Sequence, residues 1–193
     1  MANSSIEDIA ETCAGQNCIL VAVDFSEDSR AAAVWAGRHA TMTQQPLAVL
    51  HVVHDMASSP GFYQQQATEP LQPLEDIAEK MMEDFLGSIL NDHPELSVLG
   101  QAEKHFVPGL PAGRIVEVSK LLGASLLVIG GTGFGSQEKA RLGSVAKKVV
   151  KISTTPVVVI RSENARPNKN DSKKEKKQLK KERKRLKKLL GLN

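Results

Sequence analysis

One stretch of the chain, residues 130–145 with the sequence GGTGFGSQEKARLGSV, limits more than any other what this chain can fold into. It follows the apolar run LLVI, which predicts a buried strand over residues 125–129. It precedes AKKVVKI, which predicts a helix that begins near Ser144. Three of its glycines, at 130, 133 and 143, have the spacing G-x2-G-x9-G-S. This order is typical of phosphate binding, because glycine lets the backbone approach an anion and the first helical N–H groups point at it.

Two well-known phosphate loops do not fit the stretch. A Walker A loop ends in Gly-Lys-Ser/Thr, whereas Gly143 and Ser144 are adjacent with no lysine between them. A dinucleotide-binding fingerprint that starts at Gly131 has its second glycine at Gly133, but Ser136 stands where the third should be. The stretch is therefore a phosphate-loop candidate of another kind, and a glycine-rich turn without a ligand is the alternative.

The spacing, together with VAVDFSEDSR near the start and GSVAKKVVKISTTPVVVIR after it, resembles the ATP-binding branch of the universal stress protein family. The resemblance covers about residues 17–161. It implies an α/β fold: a doubly wound, Rossmann-like, five-stranded parallel sheet in the order 3-2-1-4-5 with helices on both faces. It also implies ATP, with Mg²⁺ or Mn²⁺, as the ligand, and a homodimer formed through the last strand.

The resemblance also implies which residues hold the nucleotide. The end of the first strand contacts adenosine, the backbone of a residue in the second strand recognises adenine, and the glycine motif contacts ribose and phosphates. The matching positions are Ala22, Val23 and Asp24; Val52; and Gly130, Gly131, Gly133, Gly143, Ser144 and Val145. Asp24 lies near the ribose or the metal.

Several of these residues have a plainer alternative. Val52 also fits an ordinary core strand, and the Asp24 carboxylate also fits a cap on the following turn or helix. Lys139 and Arg141 either reach the β- and γ-phosphates or are solvated loop charges. The remaining candidates are histidines without metal-ligand spacing, which we interpret as structural or surface residues: His51, His54, His93 and His105.

The rest of the chain alternates strand and helix patterns, which favours a parallel sheet with right-handed crossovers. An apolar run predicts a strand over residues 18–23, and capping residues at 26–29 predict a helix to about Thr41, with Trp35 in the core. The further predictions are a strand from Pro46 to about Val53, a helix over 73–91, a strand from Leu99 to about Phe106, a helix from Pro111 to Leu122, and strands over 126–129 and 157–160.

The net charge of +3 hides a division of the chain. Up to Arg166 there are 13 Lys and Arg against 19 Asp and Glu, and from Pro167 onward 12 against 3. We predict an extension over residues 1–16, a nucleotide-binding domain over 17–161, a linker over 162–172 and a basic amphipathic helical tail over 173–193. The tail is either solvated or contacts RNA, DNA, an anionic membrane or a partner; four leucines form its thin apolar stripe: Leu179, Leu186, Leu189 and Leu190.

Composition predicts a cytoplasmic protein. No apolar run has the length of a transmembrane span, and the polar, acidic N-terminus is not a secretory signal. Cys13 and Cys18 are the only cysteines, which favours reduced thiols over a metal site.

No catalytic constellation is visible, so we predict an ATP-binding stress-response protein that acts as a binding protein or slow switch, with at most weak ATPase activity. The alternative is a non-catalytic dimeric interaction module whose basic tail tethers it to nucleic acid or an anionic surface. A phosphoryl- or nucleotidyl-transferring enzyme would carry a histidine pair or a lysine signature near the crevice, and the sequence has neither.

Overall fold

A five-stranded, all-parallel sheet forms the centre of the part of the chain that this computed structural model describes, residues 17–53, 74–133 and 142–162. The strands are β1 (Ile19–Ala22), β2 (Leu47–Val53), β3 (Glu103–Pro108), β4 (Leu126–Gly130) and β5 (Val157–Ile160). Their order is β3-β2-β1-β4-β5, which confirms the order expected from the resemblance. Because the order reverses between β2–β1 and β4–β5, a crevice lies beyond the carboxyl ends of β1 and β4.

Helices cover both faces of the sheet. They are α1 (Glu27–Thr43), α2 (Leu74–Asp92), the single turn α3 (Ser97–Gly100), α4 (Pro111–Leu121) and α5 (Ser144–Ile152). One buried cluster joins alternate strand residues to α4 and α5, and the other joins the intervening residues to α1, α2 and α3. Both faces of the sheet are therefore apolar, which is why the central strands are continuous hydrophobic runs rather than alternating ones.

The start of α1 follows from its sequence. Ser26 is the N-cap, and its Oγ accepts a hydrogen bond from the backbone N–H of Ser29 at 3.2 Å. Glu27 and Asp28 form the acidic first turn, where the positive end of the helix dipole stabilises carboxylates. The helix ends at Gln44 in the left-handed conformation, with its N–H bonded to the carbonyl oxygen of Ala40.

The predicted third strand begins too early. Leu99 lies in α3, and β3 starts at Glu103. Leu96 and Leu99 are both buried, at 2% and 0% exposure, and a spacing of three places them on one face of a helical turn rather than on one face of a strand. Trp35 was predicted in the core, and it packs half-buried against one core cluster while its ring stacks on His39 at 4.9 Å.

Several predictions concern residues outside the described ranges. They include the extension 1–16 with Cys13, His54, Lys139, Arg141, almost all of the linker, and the basic tail over 173–193. Within the described ranges, no helix combines the length and the apolar character that crossing a membrane requires.

Candidate functional site

The carboxyl ends of β1 and β4 lie side by side, and polar groups follow both. Ala22 pairs with Ile129 at the end of the parallel ladder, so Asp24 and the glycine motif emerge at the same edge of the sheet. The structure therefore brings together the residues of the first strand and of the glycine motif that the sequence selected separately. Val52 reaches the same edge from β2, on the other side of β1.

Asp24 forms part of the turn between β1 and α1. Its Oδ1 accepts hydrogen bonds from the backbone N–H of Ser26, at 3.2 Å, and from the Ser26 hydroxyl. The turn-capping role that we considered for this carboxylate is thus present at one of its oxygens. Its other oxygen, Oδ2, lies 2.9 Å from where a Cβ on Gly133 would stand, so any side chain at 133 would displace the carboxylate.

Gly130 and Gly131 are required by packing within the fold. A Cβ on Gly130 would lie 2.9 Å from the backbone nitrogen of Ser29 and 3.0 Å from the carbonyl carbon of Asp28. A Cβ on Gly131 would lie 2.7 Å from Cγ of Arg161. The contacts of Gly130 are backbone atoms that cannot rotate away, so β4 can end this close to the first turn of α1 only with glycine at 130.

Gly143 differs, because its contacts with the residues that the structure describes do not require glycine there. A Cβ would have the carbonyl oxygen of Gly131 as its nearest neighbour, at an ordinary contact distance of 3.4 Å. Its backbone angles, φ −60° and ψ 162°, suit any residue. Its N–H donates to Gly131 O at 2.8 Å. The two described parts of the glycine motif, a first half over residues 130–133 and a second half over residues 142–145, therefore lie next to each other. Packing within the described part of the chain thus leaves the choice of glycine at 143 unexplained.

The N-terminus of α5 lies at this second half of the motif. Gly143 is its N-cap and supplies no side-chain hydrogen bond. Ser144 and Val145 are the first two helical residues and are exposed. The first N–H groups of a helix have no acceptor within the helix, and they carry the positive end of its dipole. This end of the motif can therefore donate hydrogen bonds to an anion.

The carboxyl end of β2 extends beyond its last β1 partner. Leu50 pairs with Ala22, and Val52 lies two residues further on, paired with Val107 of β3 on its other side. The Val52 side chain belongs to the core, as its plainer interpretation requires, and is 8% exposed. The side of the Val52 backbone that faces β1 nevertheless lies beyond the end of β1, at the crevice.

His51 is buried behind this edge. Its Nδ1–H donates to the carbonyl oxygen of Val23 at 2.9 Å, and its ring lies 4.4 Å from that of Phe25. Burial lowers the pKa of His51, against the opposing effects of the Val23 hydrogen bond and the Asp24 charge. The imidazole is therefore neutral and fixes the end of β1. Phe25 has a φ of +62°, which is uncommon for a residue with a side chain.

Sequence reasoning missed the contacts of Asp28. It treated this residue only as one of the capping residues 26–29, but the carboxylate accepts hydrogen bonds from Thr132 and from the backbone of Ser162. An acidic residue in a first helical turn was visible in the sequence. Its partners lie more than a hundred positions away, and no local pattern indicates them.

Comparison with known proteins decides the family. The family model described as the universal stress protein family matches residues 17–161. The chain belongs to the universal stress protein family. The universal stress protein YxiE of Bacillus subtilis is 32% identical over 147 residues, which are 75% of this chain and 99% of that protein. The universal stress protein Mb2028c of Mycobacterium bovis is 33% identical over 159 residues, which are 78% of this chain but only 50% of that protein.

Solved structures of this family share the fold. Protein MJ0577, from Methanocaldococcus jannaschii, superposes with a TM-score of 0.55 at 24% identity, covering 77% of this chain and 99% of that one. A universal stress protein in complex with cAMP superposes with a TM-score of 0.51 at 21% identity, covering 76% and 97% of the two chains. At these identities the likeness concerns the fold.

Proposed function

We propose that this universal stress protein belongs to the ATP-binding branch of its family and acts as a nucleotide-dependent binding protein or slow switch in a stress response. The observation that carries the proposal is Gly143. Neither packing against the described residues nor the backbone angles require glycine there, yet the residue lies at the N-terminus of α5 beside the first half of the glycine motif. An approaching phosphate is a physical reason for leaving that position without a side chain.

The other implied contacts fit the same ligand. Ala22, Val23 and the backbone of Val52 form the apolar end of the crevice and would hold adenosine. Gly130, Gly131, Gly133, Ser144 and Val145 would form the ribose and phosphate end together with Gly143. The relative of this fold whose structure contains cAMP is consistent with an adenine nucleotide as ligand. For this chain, the proposal that it binds an adenine nucleotide is supported by its own residues at the crevice, above all by Gly143.

Asp24 fits a divalent cation that arrives with the nucleotide. Mg²⁺ is usually held by one or two carboxylates together with substrate phosphates, and Asp24 places one half-buried carboxylate between the turn and Gly133. No group of three or more acidic, histidine or cysteine side chains that could hold a metal occurs within residues 17–53, 74–133 and 142–162. The cation, Mg²⁺ or Mn²⁺, would neutralise phosphate charge.

Titration calorimetry with ATP and Mg²⁺ tests the proposal. We expect the parent protein to bind, and Asp24→Asn to bind about tenfold more weakly or worse, because the variant loses a charge-assisted contact. Glu27→Gln removes the same charge from an exposed position three residues away and should bind like the parent. If the parent protein shows no binding heat and no thermal shift with ATP and Mg²⁺, the site is refuted. Any hydrolysis should be weak.

We also propose that the protein forms a homodimer through β5. Both β3 and β5 lie at edges of the sheet, but β3 carries Glu103, Lys104 and Pro108, which protect an edge from pairing. β5 is VVVI, each residue partly exposed, and Val150 and Ile152 of the preceding helix are 49% and 41% exposed. Sedimentation at tens of micromolar should show a dimer, and Val158→Lys should give a monomer. A monomeric parent protein would contradict this.

The alternative function, an interaction module, rests on the charge of the tail. With 12 basic and 3 acidic residues from Pro167 onward, it should bind polyanions independently of nucleotide. Each phosphate contact should add about 0.9 to the slope of log affinity against log salt on duplex DNA. Truncation after Arg166 should abolish retardation of RNA in a low-salt gel and leave ATP binding unchanged. Equal retardation by the truncated protein would exclude the tail as the binding element.

A further inference from the structure

We propose that Asp28 is a positioning residue, whose carboxylate holds Thr132, and with it the first half of the glycine motif (residues 130–133), in place against Asp24 and the end of β5. The inference rests on the proposed function, because the part of the site that it positions is the phosphate end. It adds a residue that does not itself contact the ligand.

Both oxygens of the Asp28 carboxylate are used. Oδ2 accepts from the backbone N–H of Thr132 at 2.9 Å and from the Thr132 hydroxyl at 2.6 Å. Oδ1 accepts from the backbone N–H of Ser162, just beyond β5, at 2.9 Å. One side chain in the first turn of α1 thus connects the loop after β4 to the end of the neighbouring strand.

Thr132 is held from its other side as well. Its carbonyl oxygen lies 3.3 Å from the hydroxyl oxygen of Ser26, which also donates to Asp24. The N–H, the hydroxyl and the carbonyl of Thr132 therefore all face the beginning of α1. Because Gly133 follows directly and a Cβ there would lie 2.9 Å from Asp24 Oδ2, these contacts also hold the loop beside the Asp24 carboxylate.

The close approach of β4 to α1 makes this arrangement possible. Asp28 is 4% exposed, and Gly130 allows the strand end to lie against its backbone. A buried carboxylate is costly unless it is hydrogen-bonded. Burial raises the pKa of Asp28, but the hydrogen bonds from Thr132 and Ser162 outweigh that effect, so its pKa lies below the ordinary value and the group remains ionised.

All three partners are donors, so aspartate and asparagine are not equivalent at position 28. A carboxylate offers only acceptors, whereas the amide of Asn would direct its NH₂ group at one or more of the N–H and O–H donors. Asp28→Asn therefore keeps the shape of the side chain but removes its charge and loses the hydrogen bond from at least one of the two backbone N–H groups, of Thr132 or of Ser162. Glu27→Gln is the matched control, because it removes the same charge from the same helical turn at an exposed position.

The first test compares the affinities of the full chain for ATP with Mg²⁺ and for adenosine. We expect Asp28→Asn to weaken ATP binding about tenfold or more, since a hydrogen bond to a charged group is lost, and to leave adenosine affinity within about twofold. Glu27→Gln should change neither affinity. A purely structural effect on the whole site would weaken both ligands equally, and that result would overturn the positioning role.

Thr132 supplies a second pair of variants. Thr132→Val removes the hydroxyl that donates to Asp28 and keeps the shape, so it should weaken ATP binding about threefold or more. Thr132→Ser keeps the hydroxyl and should bind ATP like the parent. Equal ATP affinity for all four variants and the parent would overturn the inference. If Asp28→Asn does not fold, the two Thr132 variants still test whether the contact between Asp28 and Thr132 positions the loop.

Amide hydrogen exchange separates this inference from the proposed function. The N–H group of Thr132 or of Ser162, or both, should exchange at least about tenfold faster in Asp28→Asn than in Glu27→Gln, while those in the middle of β1 stay unchanged. If the parent binds no nucleotide but this difference is seen, the proposed function fails and the contact stands. If the two variants exchange alike at both amides, Asp28 does not hold the loop.

Discussion

The two halves of the glycine motif contain the same residue type and are built differently. In the first half, Gly130 is pressed against the backbone of Ser29, and Thr132 is held by Asp28. In the second half, a Cβ on Gly143 would meet no described atom closer than 3.4 Å, and the residue begins a helix whose first residues are exposed. Only one backbone hydrogen bond among the described residues, from Gly143 N–H to Gly131 O, joins the two halves directly.

We infer from this difference that one motif meets two separate requirements. Glycine at 130 lets a strand end close to a helix, which is a requirement of the fold. Glycine at 143 satisfies no requirement imposed by the described residues, and we infer that it satisfies one of the ligand. Substitution of Gly130 should therefore reduce stability, and substitution of Gly143 should reduce affinity.

The largest effect on stability is expected for Gly130→Ala. The added Cβ would overlap backbone atoms of α1 at 2.9 and 3.0 Å, and the strand or the helix would have to move. We expect a loss of about 2–3 kcal/mol in the free energy of unfolding, as for other overpacked cores. Urea denaturation measures it. A loss below about 0.5 kcal/mol would show that β4 and α1 can move apart at little cost in free energy, and the contrast between Gly130 and Gly143 would fail.

A smaller effect should appear in acid, and it belongs to the first half alone. The pKa of Asp28 in the folded protein lies below its ordinary value of 3.8. Its ionised form therefore stabilises the fold fully above 3.8, and this contribution disappears as the pH falls through the lower folded pKa. Unfolding free energies of the parent and Asp28→Asn should differ by a constant amount near neutral pH and converge in acid. A difference that does not vary with pH would contradict the ionised contact.

The smallest effect on stability is expected for Gly143→Ala. Its φ of −60° suits alanine, which lowers the entropy of the unfolded chain, while an alanine N-cap is slightly worse than glycine. These terms oppose each other, so the free energy of unfolding should change by less than about 0.5 kcal/mol. Urea denaturation of Gly143→Ala and Gly130→Ala in parallel compares their free energies of unfolding directly. A loss as large as that of Gly130→Ala would show that the second half is also required by the fold.

Much of the fold could be predicted from the sequence, because buried parallel strands leave continuous apolar runs. The residues of β5 were predicted at 157–160, where they lie, and α5 begins at Ser144 as predicted. The strand order needed the family resemblance. The start of β3 was wrong because Leu96 and Leu99, three residues apart, form a helical turn that a short apolar run does not distinguish from a strand.

The candidate site could be predicted only where its residues form a local pattern. The glycine spacing and the aspartate after the first strand are such patterns. The contact between Asp28 and Thr132, and the hydrogen bond from His51 to Val23, depend on how distant segments pack. The different packing of Gly130 and Gly143 is also invisible in the sequence, because it depends on which atoms surround each one.

The most direct test of the central claim is a calorimetric titration of Gly143→Val with ATP and Mg²⁺, beside the parent protein and together with urea denaturation of both. We expect the parent to bind ATP and the variant to show no binding, because a branched side chain would stand where the phosphate approaches the backbone. The free energy of unfolding should differ by less than about 1 kcal/mol. Equal ATP binding by the variant and the parent would contradict the claim and place the nucleotide elsewhere.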